Sequence, residues 1–208
     1  NRFIDEPEGF LQLRPEVFDR QYFGGGKLIF SYDNVNNKWM PDRGLRFHSE
    51  AIYKVNLENT ERDFFRFNTS LTAYIPIGYR DLFLYAGRVG FSHIIGDYDF
   101  FQAPNVGGND NLRGFRQQRF YGETTFFSSN EVRIAVSHKD NSSLPFTFGF
   151  SPAFDFGRVW IDGDDSNTWH YSYGGNIWTA PLDYVAISFG LMRSQDDFRF
   201  TARLGYDF

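Results

Sequence analysis

The chain has 208 residues, a formal net charge of −5, 20% aromatic residues with 26 Phe, no cysteine, and a mean hydropathy of −0.45. No stretch approaches the roughly 18 consecutive apolar residues of a spanning helix, and the acidic balance gives no basic footprint for nucleic acid. So many aromatics in so polar a chain fit a barrel in which every second residue faces lipid and the rest face a polar lumen; the lack of cysteine is compatible with the cell envelope without requiring it.

Residues 1–26 read as an N-terminal segment that opens on Asn1 without a signal peptide, as a mature or trimmed piece of something longer would. Phe10 to Phe23 offers one further strand there, although Pro15 and the Gly24-Gly25-Gly26 run make it a poor central one. From Lys27 to the end, alternating segments of strand length recur, nine in number, with no useful helical period between them. The first is Lys27 to Asp33, with Leu28, Phe30 and Tyr32 on its apolar side. In the second, Leu45, Phe47, Ala51, Tyr53, Val55 and Leu57 oppose Arg46, His48, Glu50, Lys54 and Asn56. In the third, Phe65, Phe67, Leu71, Ala73 and Ile75 oppose Arg66, Asn68, Ser70 and Thr72. Leu82 to His93, Thr125 to Ser137, Phe146 to Trp160, Trp169 to Trp178 and Tyr184 to Arg193 follow. The ninth, Phe198 to Phe208, puts Phe198, Phe200, Ala202, Leu204, Tyr206 and Phe208 on one face and ends on an aromatic residue.

The connections alternate too. Asn36 to Gly44, Ile77 to Asp81, His138 to Pro145 and Thr179 to Asp183 are compact and rich in Pro, Gly, Asn or Asp, as tight turns require. Ile94 to Gly122 is long, and Ile161 to Thr168 is acidic. Membrane barrels of the bacterial outer membrane place short turns on the periplasmic side and long loops outside. With a periplasmic C-terminus, counting back puts all four compact turns in the periplasm. The expected fold is therefore all-β: an antiparallel transmembrane β-barrel part over residues 27–208, contributing nine or ten strands. A soluble β-sandwich would also alternate, but it has no use for large aromatics at so many outward positions.

Catalytic constellations are not evident. His48, His93, His138 and His170 fall on separate strands or turns, with no metal-site spacing. Asp162, Asp164 and Asp165 lack the remaining spaced ligands of a calcium loop. Trp39, Trp160, Trp169 and Trp178 lie near strand ends and read as an interfacial girdle. No cofactor, metal or enzymatic activity is expected.

The long loop carries Gly107-Gly108-Asn109-Asp110-Asn111-Leu112-Arg113-Gly114-Phe115, then Arg116, Arg119 and Phe120. An Arg in a lumen needs a partner, because an unpaired buried charge costs several kcal/mol. Asp155 shares parity with Thr147, Gly149, Ser151 and Ala153, opposite to Phe148, Phe150, Phe154 and Phe156, so it points inward. A solvated Arg113 and an ordinary lumen carboxylate are the plainer alternative from spacing alone. The hydrophobic-Arg-Gly-aromatic run resembles the BamA/TamA superfamily of outer-membrane assembly and secretion barrels. So do the turn Met40-Pro41-Asp42-Arg43-Gly44 after Tyr32-Asp33-Asn34, Tyr74-Ile75-Pro76, the strand Phe154-Asp155-Phe156-Gly157 and the aromatic C-terminus, all in order.

That resemblance implies a barrel of about sixteen strands, of which this chain would be the C-terminal part, with soluble domains before it. It also implies that Arg113 bonds Asp155 and pins the loop to the inner wall, with Leu112, Gly114, Phe115 and Gly157 completing the anchor. Phe200, Leu204, Tyr206 and Phe208 resemble the signal by which nascent barrels are captured, although Arg203 and Gly205 depart from its glycine position. The expected function is insertion or translocation of proteins at the outer membrane of a Gram-negative bacterium. The implied partners are outer-membrane lipid, client outer-membrane or secreted proteins and other subunits of an outer-membrane complex. A membrane anchor, a secretion pore for an attached domain, or a structural subunit are the alternatives. Leu112 to Gly122 looks closest to members that carry a calcineurin-like metallophosphatase domain before the barrel.

Overall fold

The computed structural model describes residues 20–78, 82–139, 146–163, 167–181 and 185–205. Outside that set fall Tyr206 and Phe208, Asp164 and Asp165, the middles of three compact turns, and most of the Phe10 to Phe23 segment; the side chain of His138 does too. Among these described residues nine strands form one antiparallel sheet in which neighbours in space follow one another in sequence: β1 (Phe23–Val35), β2 (Gly44–Asn56), β3 (Asp63–Ile77), β4 (Phe83–Gly96), β7 (Thr124–Lys139), β8 (Phe146–Trp160), β9 (His170–Pro181), β10 (Ile187–Ser194) and β11 (Phe198–Leu204). The run between β4 and β7 holds only a 3-10 turn and a two-stranded ribbon, β5 (Asn105–Val106) with β6 (Phe120–Tyr121). Among the described residues, β1 pairs only with β2 and β11 only with β10, so both edges of this sheet are open.

Alternation becomes burial most plainly in β8. Phe146, Phe148, Phe150, Pro152 and Phe154 are exposed, while Thr147, Gly149, Ser151, Ala153, Asp155 and Gly157 are buried. Phe148, Phe150 and Phe154 remain 39–45% exposed, and among the described residues no second layer covers them. A sheet of a soluble sandwich would bury that face; here the apolar face is the outside, as in a barrel bathed in lipid. Near the loop end of this outer face, Phe126, Phe156, Trp160 and Trp169 contact one another with ring centroids 5.9–6.3 Å apart. Arg158 lies over Trp160 and hydrogen-bonds Asn167. This is an amphipathic belt of the kind that settles at a membrane interface.

Two expectations change. The glycine run 24–26 does not precede the first strand but belongs to it, opposite Val55, Lys54 and Tyr53. A Cβ on Gly25 would stand 2.1 Å from the Tyr53 carbonyl oxygen, so Gly25 allows close backbone approach. Trp178 is not part of a girdle. It is buried on the inner face with Ala180 and Ala186, and Met40 of the β1–β2 turn packs against them. Gly149 makes the room: its Cβ would lie 2.3 Å from the indole and 2.3 Å from the Ile134 carbonyl oxygen. Gly149→Val is expected to destabilise the folded protein by about 1–3 kcal/mol, the usual cost of overpacking, measured as a lower urea midpoint.

Candidate functional site

Residues 97–123 leave β4, lie across the inner face of the sheet and return to β7. Their shape comes from local chemistry. Asp99 and Gln102 close a reciprocal capping box around Phe100–Gln102. Gly107 and Gly108 turn the chain at φ of 122° and 114°, a region that side chains disfavour. The Asn111 side chain ties the turn by accepting from the N–H groups of Gly107 and Leu112, both at 2.7 Å. Val106, Leu112 and Phe115 are then buried together, with Phe120, Phe127 and Val159 packed around them. That apolar cluster fixes the depth at which the next polar group enters the wall.

Arg113 is 1% exposed. Its Nε donates to Asp155 Oδ2 at 2.9 Å, its Nη2 to Oδ1 at 2.5 Å, and its backbone N–H to Oδ2 at 3.0 Å. The remaining guanidinium face donates from Nη1 to Glu131 Oε2 at 2.7 Å and from Nη2 to the Asn130 carbonyl at 3.1 Å. This is a bidentate fork with a second carboxylate on its free edge, the arrangement in which a buried ion pair is best compensated. Burial alone would lower the arginine pKa; Asp155 and then Glu131 outweigh it and raise the value, so the charge is kept.

The structure brings Leu112, Arg113, Gly114, Phe115, Asp155 and Gly157 into one place. The Gly114 N–H donates to Ser172 Oγ at 3.2 Å, and a Cβ at this position would sit 2.4 Å from Ser172 Cβ. Gly157 makes room for a different neighbour than the guanidinium: its Cβ would come 3.2 Å from the Leu112 side chain. Gly114→Val is expected to push the loop tip off the wall. Faster trypsin cleavage after Arg116 or Arg119 would report it; cleavage at the wild-type rate would contradict the tight seat.

Sequence reasoning missed the rest of the site. Glu131 also accepts from Arg133 Nε at 2.7 Å, and Arg133 Nη1 donates to the carbonyl of buried Pro41 at 3.1 Å. An ion chain thus joins the loop to the Asn36–Arg43 turn at the opposite end of the sheet. Inward parity of Glu131 on β7, next to β8, was the readable signal; the inward fold of the turn left none. Elsewhere, arginines of the wall donate to loop carbonyls: Arg66 to Gln102 at 3.0 Å and Arg203 of β11 to Asn109 at 3.0 Å. The first satisfies an acceptor of the buried Gln102 that an irregular segment would otherwise leave unpaired. Ser129 likewise donates to the Asn111 carbonyl, and Arg119 pairs with Asp196 at 2.7 Å.

The other sequence candidates lie apart. His48 bonds Ser31, His93 bonds Thr124, and His170 stacks on Phe120 at 3.6 Å. Among the described residues no group of His, Asp or Glu is placed to hold a metal ion. Phe200 and Leu204 are exposed on the outer face of β11, 68% and 74% respectively.

An open sheet with a greasy outside, a polar inside and a loop locked to its inner wall defines part of a membrane β-barrel. The sequence profile of the Omp85 superfamily domain matches residues 25–208, and the chain belongs to that superfamily of bacterial outer-membrane barrels. Its fold is similar to the crystal structure of BamA from Haemophilus ducreyi lacking POTRA domains 1–3, with a TM-score of 0.62 at 16% sequence identity. The match covers 86% of this chain and 41% of that one, so the chain spans about two fifths of that structure. No curated protein matches the sequence.

Proposed function

We propose that this chain is the C-terminal part of a larger barrel that inserts or translocates proteins at the outer membrane. The observation that carries the reading is the Arg113 lock: a long loop held inside the wall by a buried, doubly paired guanidinium. Such a loop fills part of the lumen and stiffens β7, β8 and β9 against one another. In this reading residues 94–122 are the luminal loop on the exterior side, and further strands pair with the open edge of β1. A strand edge with unpaired N–H and C=O groups can accept another strand by augmentation. Phe200 and Leu204, with Tyr206 and Phe208, form the terminal signal, and the partners are client barrel or secreted proteins.

The test uses the full-length protein in liposomes with an unfolded test barrel protein, following folding by electrophoretic shift. Acceleration over empty liposomes, reduced by Arg113→Ala, is the expected result. No acceleration would overturn the insertase reading and leave an anchor. Steady conductance that changes on deleting residues 94–122 would instead mark a secretion pore.

A further inference from the structure

The outer face of β8, β9 and β10 is not uniformly filled. Pro152, Gly175 and Leu191 stand in one cross-strand row, and Gly175 contributes no side chain to it. The result is a hollow of about 580 Å³ with Pro152 and Gly175 at its floor and Phe150, Ile177, Phe189 and Leu191 as walls. The four wall residues are 43–56% exposed, so the hollow opens outward, away from the lumen. One row nearer the loop end of the sheet, Arg193 faces Tyr173 across the strands. It points to the same side as Leu191, is exposed, and lies 4.5 Å from the centroid of the Phe198 ring. Among the described residues no carboxylate pairs with it.

We propose that this hollow and Arg193 form a binding site for one anionic lipid of the leaflet on the loop side, with an acyl chain over Gly175 and the lipid phosphate on Arg193. The inference rests on the outer-membrane placement of this face and not on the insertase reading. In hydrocarbon no water fills such a gap, and leaving it empty forfeits the contacts of its lining. An outward arginine costs about 2–4 kcal/mol at the bilayer midplane but little near the interface. Arg193, next to the last residue of β10, stands where a guanidinium can meet a lipid phosphate at the interface.

The experiment is native mass spectrometry of the full-length protein released from nanodiscs of equal phosphatidylglycerol and phosphatidylcholine. Wild type is expected to retain phosphatidylglycerol over phosphatidylcholine by about tenfold. Arg193→Gln should abolish the preference yet still retain lipid, and Gly175→Leu should reduce retention of both. Because a Cβ at Gly175 would lie 3.0 Å from the Ser151 carbonyl oxygen, Leu191→Trp serves as a second filling variant that leaves β9 untouched. Equal retention of the two lipids by wild type, or an unchanged preference in Arg193→Gln, overturns the site. A photoreactive residue at position 191 that captures a protein in cells, and not lipid, would overturn it as well.

Discussion

Arg113→Ala is expected to destabilise the folded protein by about 3–5 kcal/mol, the cost of removing one member of a buried ion pair. The loss arises because buried Asp155 loses its guanidinium partner and, among the described residues, is left with the Ser172 hydroxyl and a backbone N–H as hydrogen-bond donors. Glu131 suffers less, since Arg133 still pairs with it. Asp155→Ala leaves the opposite fault, a guanidinium that must share Glu131 with Arg133. The double variant removes both stranded charges, so it should be little worse than either single one. Urea titration read by electrophoretic shift gives the three values, and trypsin cleavage in the loop shows whether its release accompanies them. Fully additive losses would show that the pair does not act as a unit.

Glu131→Ala should have a loss of the same size but reach further. Without it, Arg113 keeps Asp155 but loses its second carboxylate, and Arg133 loses the carboxylate to which its Nε donates. The turn at Pro41 is bound to the wall through Arg133, so the opposite end of the lumen should loosen together with the loop. A cysteine at Met40, which packs toward Trp178, is expected to react with maleimide severalfold faster in the Glu131→Ala background, as local opening becomes easier. Adding Arg133→Met should restore part of the stability by removing the buried charge that Glu131 balanced. Unchanged reactivity at position 40 would separate the turn from the ion chain.

The strands were legible because a two-residue period leaves little freedom: once Phe148, Phe150 and Phe154 share a face, Asp155 must take the other. The same parity applied to Glu131, yet an inward carboxylate on β7 has many potential partners, and pattern alone does not select among them. Gly24 to Gly26 were misread for a related reason. Glycine marks both chain breaks and close backbone approach, and only the register with β2 distinguishes them. Trp178 sits near a strand end, as an interfacial tryptophan would, but the gap beside Gly149 and the approach of Met40 give it a place inside.

From its residues alone this chain determines an antiparallel membrane sheet with a greasy exterior, a polar interior and one long interruption carrying Leu112-Arg113-Gly114-Phe115. These follow from local periodicity and turn chemistry, which act between neighbours in sequence. The tertiary structure alone decides that Asn36–Arg43 folds inward, that Arg133 and Glu131 link it to Arg113, that wall arginines hold the loop carbonyls, and that Gly175 leaves a hollow on the lipid side. Each depends on distances between residues far apart in the chain, set by the curvature of a wall that brings its inner faces together.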